Sequence, residues 1–150
     1  ENFSFPELIR ELTDAISVRA KNKNITFRVD IKSPIESLRG VRIYIHEALL
    51  NLLANAIKYT PEGGTVTLEI IAKEHLLLIF IKDTGIGIPE DALPHIFEEF
   101  YRAENARAVE RIGTGLGLSL SKQIIEMHNG KISVESQEGK GTIFYVEFPQ

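Results

Sequence analysis

The sequence predicts a single mixed α/β domain, and three observations carry that reading. Its 150 residues suit one domain, a length at which roughly 70% of the unfolded surface can be buried. Three stretches place apolar residues at helical spacing, four shorter ones alternate apolar with polar, and a fifth short one is apolar almost throughout. The composition, 43% hydrophobic and 25% charged, is that of an ordinary globular protein, not a disordered or fibrous one. Several classes drop out at once. A net charge of −4 argues against a nucleic-acid groove. The absence of cysteine excludes disulfides, thiolate metal sites and cysteine nucleophiles. The longest strongly apolar run, His75 to Ile81, is far shorter than the roughly 20 residues that cross a bilayer, and no signal peptide is visible. The chain opens on Glu1 rather than methionine, so it is expected to be a piece of something longer.

Taken in order, Phe5 to Ala20 has Pro6 in a first-turn position and Leu8, Leu12 and Ile16, with Ala15 beside them, at helical spacing. Asn22 to Asn24 breaks that helix, and Ile25 to Ile31 alternates as a half-buried strand until Ser33-Pro34. Ser37 to Arg39 is a short extended piece. Ile43 to Thr60 then reads as one helix with two unlike faces. Pro61 to Gly64 is a turn, followed by strands Thr65 to Ala72 and Leu76 to Lys82, a hairpin joined at Lys73 to His75. Leu76 to Ile81 is apolar almost throughout, which predicts a strand covered on both faces. Glu90 to Phe100 holds short helical turns interrupted at Pro94. Arg102 to Ile112 is polar, lacks an apolar stripe, and reads as a mobile segment. Leu116, Leu120, Ile124 and Met127, with Leu118 and Ile125 beside them, continue as an amphipathic helix to the Asn129-Gly130 stop. Lys131 to Ser136 and Thr142 to Phe148 alternate as strands around the turn Gln137 to Gly141. There is no internal repeat.

The helix Ile43 to Thr60 is the informative stretch. Glu47, Asn51, Asn55 and Lys58 fall within an arc of roughly 80°, opposite an apolar face of Ile45, Leu49, Leu52, Leu53 and Ala56. Asparagine is a mediocre helix former, so two of them one turn apart suggest a use beyond solubility. An amide oxygen can ligate a hard cation such as Mg²⁺, and Lys58 offers charge to phosphate, so a Mg-nucleotide lying along this face is the working expectation.

Two glycine-rich loops point the same way. Asp83-Thr-Gly-Ile-Gly-Ile-Pro89 follows a buried strand, where glycine lets a ligand approach the backbone. Asp83 reads either as an acceptor for the exocyclic amine of adenine or as a turn aspartate bonded to its own loop. Gly113-x-Gly115-x-Gly117 at a helix mouth reads either as a phosphate cradle or as a hinge, and matches neither the Walker pattern nor the dinucleotide fingerprint. Phe97 and Phe100 read as core, beside Tyr101. Arg102, next to these aromatics, is the best placed of Arg102, Arg107 and Arg111 to clamp a terminal phosphate. His46, His75, His95 and His128 show no metal-ligand spacing.

In this order the segments resemble the ATP-binding catalytic domain of bacterial sensor histidine kinases, within the ATPase superfamily of gyrase, heat-shock chaperones and mismatch-repair proteins. NLLANAIKYTP (Asn51–Pro61) resembles the N box, DTGIGIP (Asp83–Pro89) the G1 box, IFEEFYR (Ile96–Arg102) the F box and GTGLGLSLSKQI (Gly113–Ile124) the G2 box. The tail HNGKISVESQEGKGTIFYVEFP resembles the closing hairpin, and Phe3 to Thr13 the linker from a dimerisation domain, so that residues 1–13 include the linker. The resemblance implies a two-layer α/β sandwich of the Bergerat type, with about five strands in a mixed sheet, three principal helices and a flexible ATP lid at about residues 102–112. It implies that Asn55 ligates Mg²⁺ with Asn51 nearby, that Lys58 and Arg102 meet the phosphates, and that Tyr59 and Tyr101 line the nucleotide pocket. Asp83 would bond the adenine amine, with Gly85, Gly87 and Ile88 around the base and Thr142 at the adenine end. Gly113, Thr114, Gly115, Leu116, Gly117 and Leu118 would wrap the triphosphate. Two departures are Gly40, where many relatives carry aspartate, and Glu47, which replaces a frequent glutamine.

The implied function is binding of MgATP and transfer of its γ-phosphoryl group to a histidine on a separate dimerisation and phosphotransfer domain, with a response regulator downstream. Asn51, Lys58 and Arg102 would be the catalytic contributors. The fragment is expected to be cytoplasmic and monomeric, without nucleic-acid or membrane contact, whether or not its parent is membrane-anchored. The alternatives are an ATP-sensing module without transfer and a serine kinase of the anti-sigma type.

Overall fold

Ser4 starts the first long element: its hydroxyl accepts the Glu7 N–H at 3.3 Å, Pro6 sits in the first turn, and Arg19 and Lys21 close the other end. This helix, α1 (Phe5–Asn22), buries Phe5, Leu8, Ile9, Leu12, Ile16 and Ala20, while Ala15 is exposed. The computed structural model describes residues 1–109 and 117–150. Ahead of α1, β1 (Asn2–Ser4) pairs antiparallel with β3 (Ser37–Arg39), so the short extended piece read from the sequence has a partner that the sequence did not reveal.

The main sheet has five strands: β2 (Thr26–Ser33), β4 (Thr65–Ala72), β5 (Leu76–Asp83), β6 (Lys131–Gln137) and β7 (Gly141–Pro149). They lie in the order β2-β4-β5-β7-β6. Among the described residues only β2 and β4 of this sheet run parallel, since a helical crossover joins them; tight turns join the antiparallel pairs β4–β5 and β6–β7, and β7 returns antiparallel beside β5 after the long connection that carries α4. α2 (Arg42–Lys58) is that crossover. It packs on α1 and on α4 (Gly117–Met127), and the three helices cover one face of the sheet. The chain is therefore a two-layer α/β sandwich with a mixed five-stranded sheet.

One covered face explains a difference from the sequence reading. In β5 only Leu77, Ile79 and Ile81 are fully buried, while Leu78 and Phe80 on the far face are half-buried. Phe80 is sheltered there by neighbours on its own sheet, with Tyr145 edge-on at 5.2 Å and the Lys82 ammonium 5.9 Å from its ring. A second layer of helices is not needed. Ile31, on the edge strand β2, is likewise half exposed.

α4 differs in the face it buries. Leu120 and Met127 are exposed, and Ser119, Ser121, Ile124 and Ile125 are buried. The Ser121 hydroxyl donates to the Ala48 carbonyl at 2.9 Å, a contact that needs a small polar residue where two helices touch. The α2 core face of Ile45, Leu49, Leu52, Leu53 and Ala56 is buried as its periodicity requires. Between β5 and α4, a single 3-10 turn (Leu93–His95) leads to α3 (Glu104–Val109), so part of the segment read as mobile is helical. Phe97 packs edge-on to Phe144 at 6.2 Å, but Phe100 is not core: it is 68% exposed with φ +65°. No helix among the described residues is long and apolar enough to cross a membrane.

Candidate functional site

Asn51, Asn55 and Lys58 lie along one side of a cavity of about 430 Å³, with Tyr59 at the helix end. Their 4- and 3-residue spacing puts them in one stripe of α2, and the apolar stripe opposite holds that side against the core. Glu47, in the same polar arc, is exposed and does not reach the cavity wall.

Both ends of α2 are held from elsewhere. At its start, Val41 donates its N–H to His128 Nε2 at 3.0 Å, and His128 Nδ1 lies 2.7 Å from the Ile124 carbonyl. Since that carbonyl only accepts, His128 is neutral with its proton on Nδ1. The ring occupies the place of a side chain at residue 40: a Cβ there would lie 2.6 Å from His128 Cδ2, which accounts for Gly40. At its other end, the Lys23 ammonium donates to the carbonyls of Ile57 (3.1 Å) and Lys58 (2.6 Å), a cation on the negative end of the helix. Partial burial holds the Lys23 pKa below its ordinary value.

The far wall comes from the loop after β5. Asp83 Oδ1 accepts the Gly85 N–H at 2.8 Å, and the Asp83 carboxyl also takes a hydrogen bond from the Thr142 backbone. Burial outweighs these two bonds and pushes its pKa up to about 6. The turn bond and the cavity coexist, since Asp83 lines the cavity as well. The glycines of this loop serve mainly the chain's own backbone. A Cβ on Gly85 would meet the Tyr59 carbonyl at 2.5 Å, and one on Gly87, at φ +71°, would strike the Gln137 carbonyl. Gly85 is buried behind the wall rather than on it, whereas Gly87 and Ile88 face the cavity.

Thr142, Tyr101, Arg102, Gly117 and Leu118 also line the cavity. Gly113, Thr114, Gly115 and Leu116 lie outside the described residues. Lys58 Nζ also stands 5.7 Å from the Tyr59 ring. Two polar wall residues were missed. Arg19 comes from the exposed side of α1, where nothing in its helical pattern distinguishes it from solvated charge. Asn105, in α3, donates from Nδ2 to the Gly87 carbonyl at 2.9 Å and leaves its Oδ1 buried without a partner among the described residues. An asparagine inside a helix was the signal that singled out α2, but the stretch around Asn105 carries no apolar stripe to mark it as helical, so that signal was not there to read.

Residues 40–150 match the family model of the histidine kinase-, DNA gyrase B- and HSP90-like ATPases. Among curated relatives, the sensor histidine kinase RppB of Synechocystis is 37% identical over 95% of this chain, which spans 32% of the relative's length. Among solved structures, the mycobacterial sensor histidine kinase MprB superposes with a TM-score of 0.87 at 29% identity, covering 99% of this chain and 97% of that one. Full-length ShkA in complex with AMPPNP superposes with a TM-score of 0.84 at 29% identity, covering 99% of this chain and 30% of that one.

Proposed function

This chain belongs to the histidine kinase-, DNA gyrase B- and HSP90-like ATPase family, and from that premise we propose that it is the catalytic, ATP-binding part of a sensor histidine kinase. It binds MgATP and donates the γ-phosphoryl group to a histidine on a separate dimerisation domain of the parent protein. The carrying observation is the convergence of two helix asparagines, Lys58, Arg102 and a buried aspartate on one cavity. The AMPPNP complex of ShkA supports the nucleotide, and the orphaned Asn105 Oδ1 is an acceptor that a ligand's donor would satisfy.

The donor set also fits the metal. Among the described residues no group of three or more His, Cys, Asp or Glu could hold a cation. Mg²⁺ takes hard oxygen ligands, and an asparagine amide oxygen beside phosphate oxygens is one such set, as in the catalytic loop of protein kinases. Asn55 would hold the ion, with Asn51 beside it toward the phosphates. Bound there, Mg²⁺ neutralises charge on the polyphosphate. Lys58 and Arg102 draw the phosphates to the open side of the cavity, and Tyr59 and Tyr101 border the nucleotide. Gly117 and Leu118, in the first described turn of α4, line the cavity and are assigned to the phosphates, as a helix start suits. Gly113 to Leu116 take the same role. Asp83 accepts the adenine amine, with Gly87 and Ile88 against the base and Thr142 beside Asp83. Transfer then needs little beyond alignment of the acceptor imidazole and neutralised charge.

The chain is read as one catalytic domain whose residues 1–13 lead in from the dimerisation domain, with a lid at about 102–112. It works in the cytoplasm as a monomeric fragment with no nucleic-acid or membrane contact, and a response regulator takes the phosphoryl group afterwards. Mixing the chain with a histidine-bearing dimerisation domain and γ-labelled ATP tests this. Acid-labile label on the histidine is the expected result. Acid-stable label would indicate a serine kinase, and bound ATP without transfer a sensing module.

A further inference from the structure

The Ser136 hydroxyl, on β6, joins three groups that belong to different segments. It accepts the Ile88 N–H at 2.8 Å, donates to the Gly141 carbonyl at 2.9 Å, and lies 2.8 Å from Thr142 Oγ1. A serine hydroxyl has one proton and two lone pairs. The Gly141 carbonyl only accepts, so that contact takes the proton. The lone pairs then receive the Ile88 N–H and the Thr142 hydroxyl proton. Thr142 is thereby left with lone pairs alone to offer the cavity. Asp83 pairs with Thr142 across β5 and β7 and presents further acceptor oxygens to the same wall. Ser136 itself does not line the cavity.

We propose that Ser136 is a positioning residue that sets base specificity: it orients Thr142 as an acceptor and pins Ile88, so that the wall selects a purine carrying an exocyclic amine over one carrying a carbonyl there. The proposal rests on the reading of this cavity as an adenine-nucleotide site. An adenine amine donates to such a wall, whereas the guanine carbonyl meets acceptors with its own lone pairs, an unpaired arrangement that costs affinity. The same hydroxyl also ties the Asp83–Pro89 loop to the β6–β7 hairpin, in parallel with the Gly139 N–H, which donates to the Ile86 carbonyl at 2.7 Å. Losing Ser136 therefore loosens the base end without removing any direct ligand contact.

Affinities for ATP and GTP, measured by calorimetry on the whole chain, test this. Ser136→Ala should weaken ATP about tenfold, the effect of one hydrogen bond, and leave GTP nearly unchanged, so the ATP preference narrows. Ser136→Thr, which retains the hydroxyl, should restore both values. Thr142→Val should narrow the preference similarly, and adding Ser136→Ala to it should change the preference by less than Ser136→Ala does in the wild-type chain, since only the Ile88 contact is then left to lose. Equal losses for ATP and GTP in Ser136→Ala, or none, would overturn the assignment in favour of a merely structural serine. Should that variant fail to fold, Ser136→Cys, a weak donor of similar shape, carries the same expectation. A wild-type chain that does not prefer ATP to GTP would instead sink the adenine reading, before Ser136 is tested.

Discussion

The two ends of the cavity are built differently. At the end proposed for phosphate, three polar contributors come from one helix at positions 51, 55 and 58, and their orientation follows from helical periodicity alone. At the end proposed for the base, Asp83, Ile88, Ser136, Gly139 and Thr142 come from separate segments held by hydrogen bonds between loops and strands. The first is a side-chain surface laid on a rigid rod. The second is a junction in which ligand contacts and backbone contacts share atoms. Changes on the helix should therefore act on the ligand alone, while changes at the junction should act on ligand and fold together.

Asn55→Ala puts the strongest demand on this contrast. Mg-dependent ATP affinity should drop by about a hundredfold, the scale of losing a metal-site group, with the melting temperature unchanged because the amide faces the cavity rather than the core. Unaltered ATP affinity by calorimetry would remove the metal assignment.

Gly87→Ala should do the opposite. Its Cβ meets the Gln137 carbonyl at φ +71°, so a stability loss of about 2 kcal/mol is expected, with ATP affinity falling alongside. Chemical denaturation measures the first and calorimetry the second. A variant of wild-type stability would mean that the loop and hairpin are not tightly joined.

The smallest effect is a pH dependence. Burial raises the Asp83 pKa to about 6, so the folded chain holds this proton more tightly than the unfolded one. Its contribution to stability is therefore present below the unfolded value near 3.8 and is lost as pH rises through about 6. Ligand affinity runs the other way. An adenine amine favours the ionised carboxylate, so ATP affinity should fall by up to about tenfold per pH unit below 6, and binding near pH 6 should release a proton. Asp83→Asn should abolish both dependences. Proton release of the same size in that variant would transfer the titration to another group.

Much of this was legible in the residues, for a local reason. α1, α2 and four of the five strands follow from spacing of 3.6 or 2, β5 from its short apolar run, and the asparagines of α2 stood out because they were poor choices for a solvated helix. The misreadings share a cause as well. Leu76 to Ile81 looked buried on both faces, yet apolar composition does not say how many layers cover a sheet. Leu120 and Met127 had core spacing, yet Ser119 and Ser121 took the buried side, where the Ser121 hydroxyl bonds the Ala48 carbonyl of α2, a contact between helices that spacing within α4 does not reveal. Phe100 was expected in the core and is exposed.

Local pattern fixes which face of α2 is polar, because covalent geometry sets the helical repeat. It does not say that Arg19, from a helix earlier in the chain, stands on the same cavity, or that the hydroxyls of Ser136 and Thr142 meet. Those are contacts between distant segments, decided when the helices settle on one face of the sheet and the β6–β7 hairpin closes against the Asp83 loop. The turn aspartate and the cavity aspartate, alternatives in the sequence, become one residue there, because the fold leaves Asp83 bonded to Gly85 and facing the cavity at once.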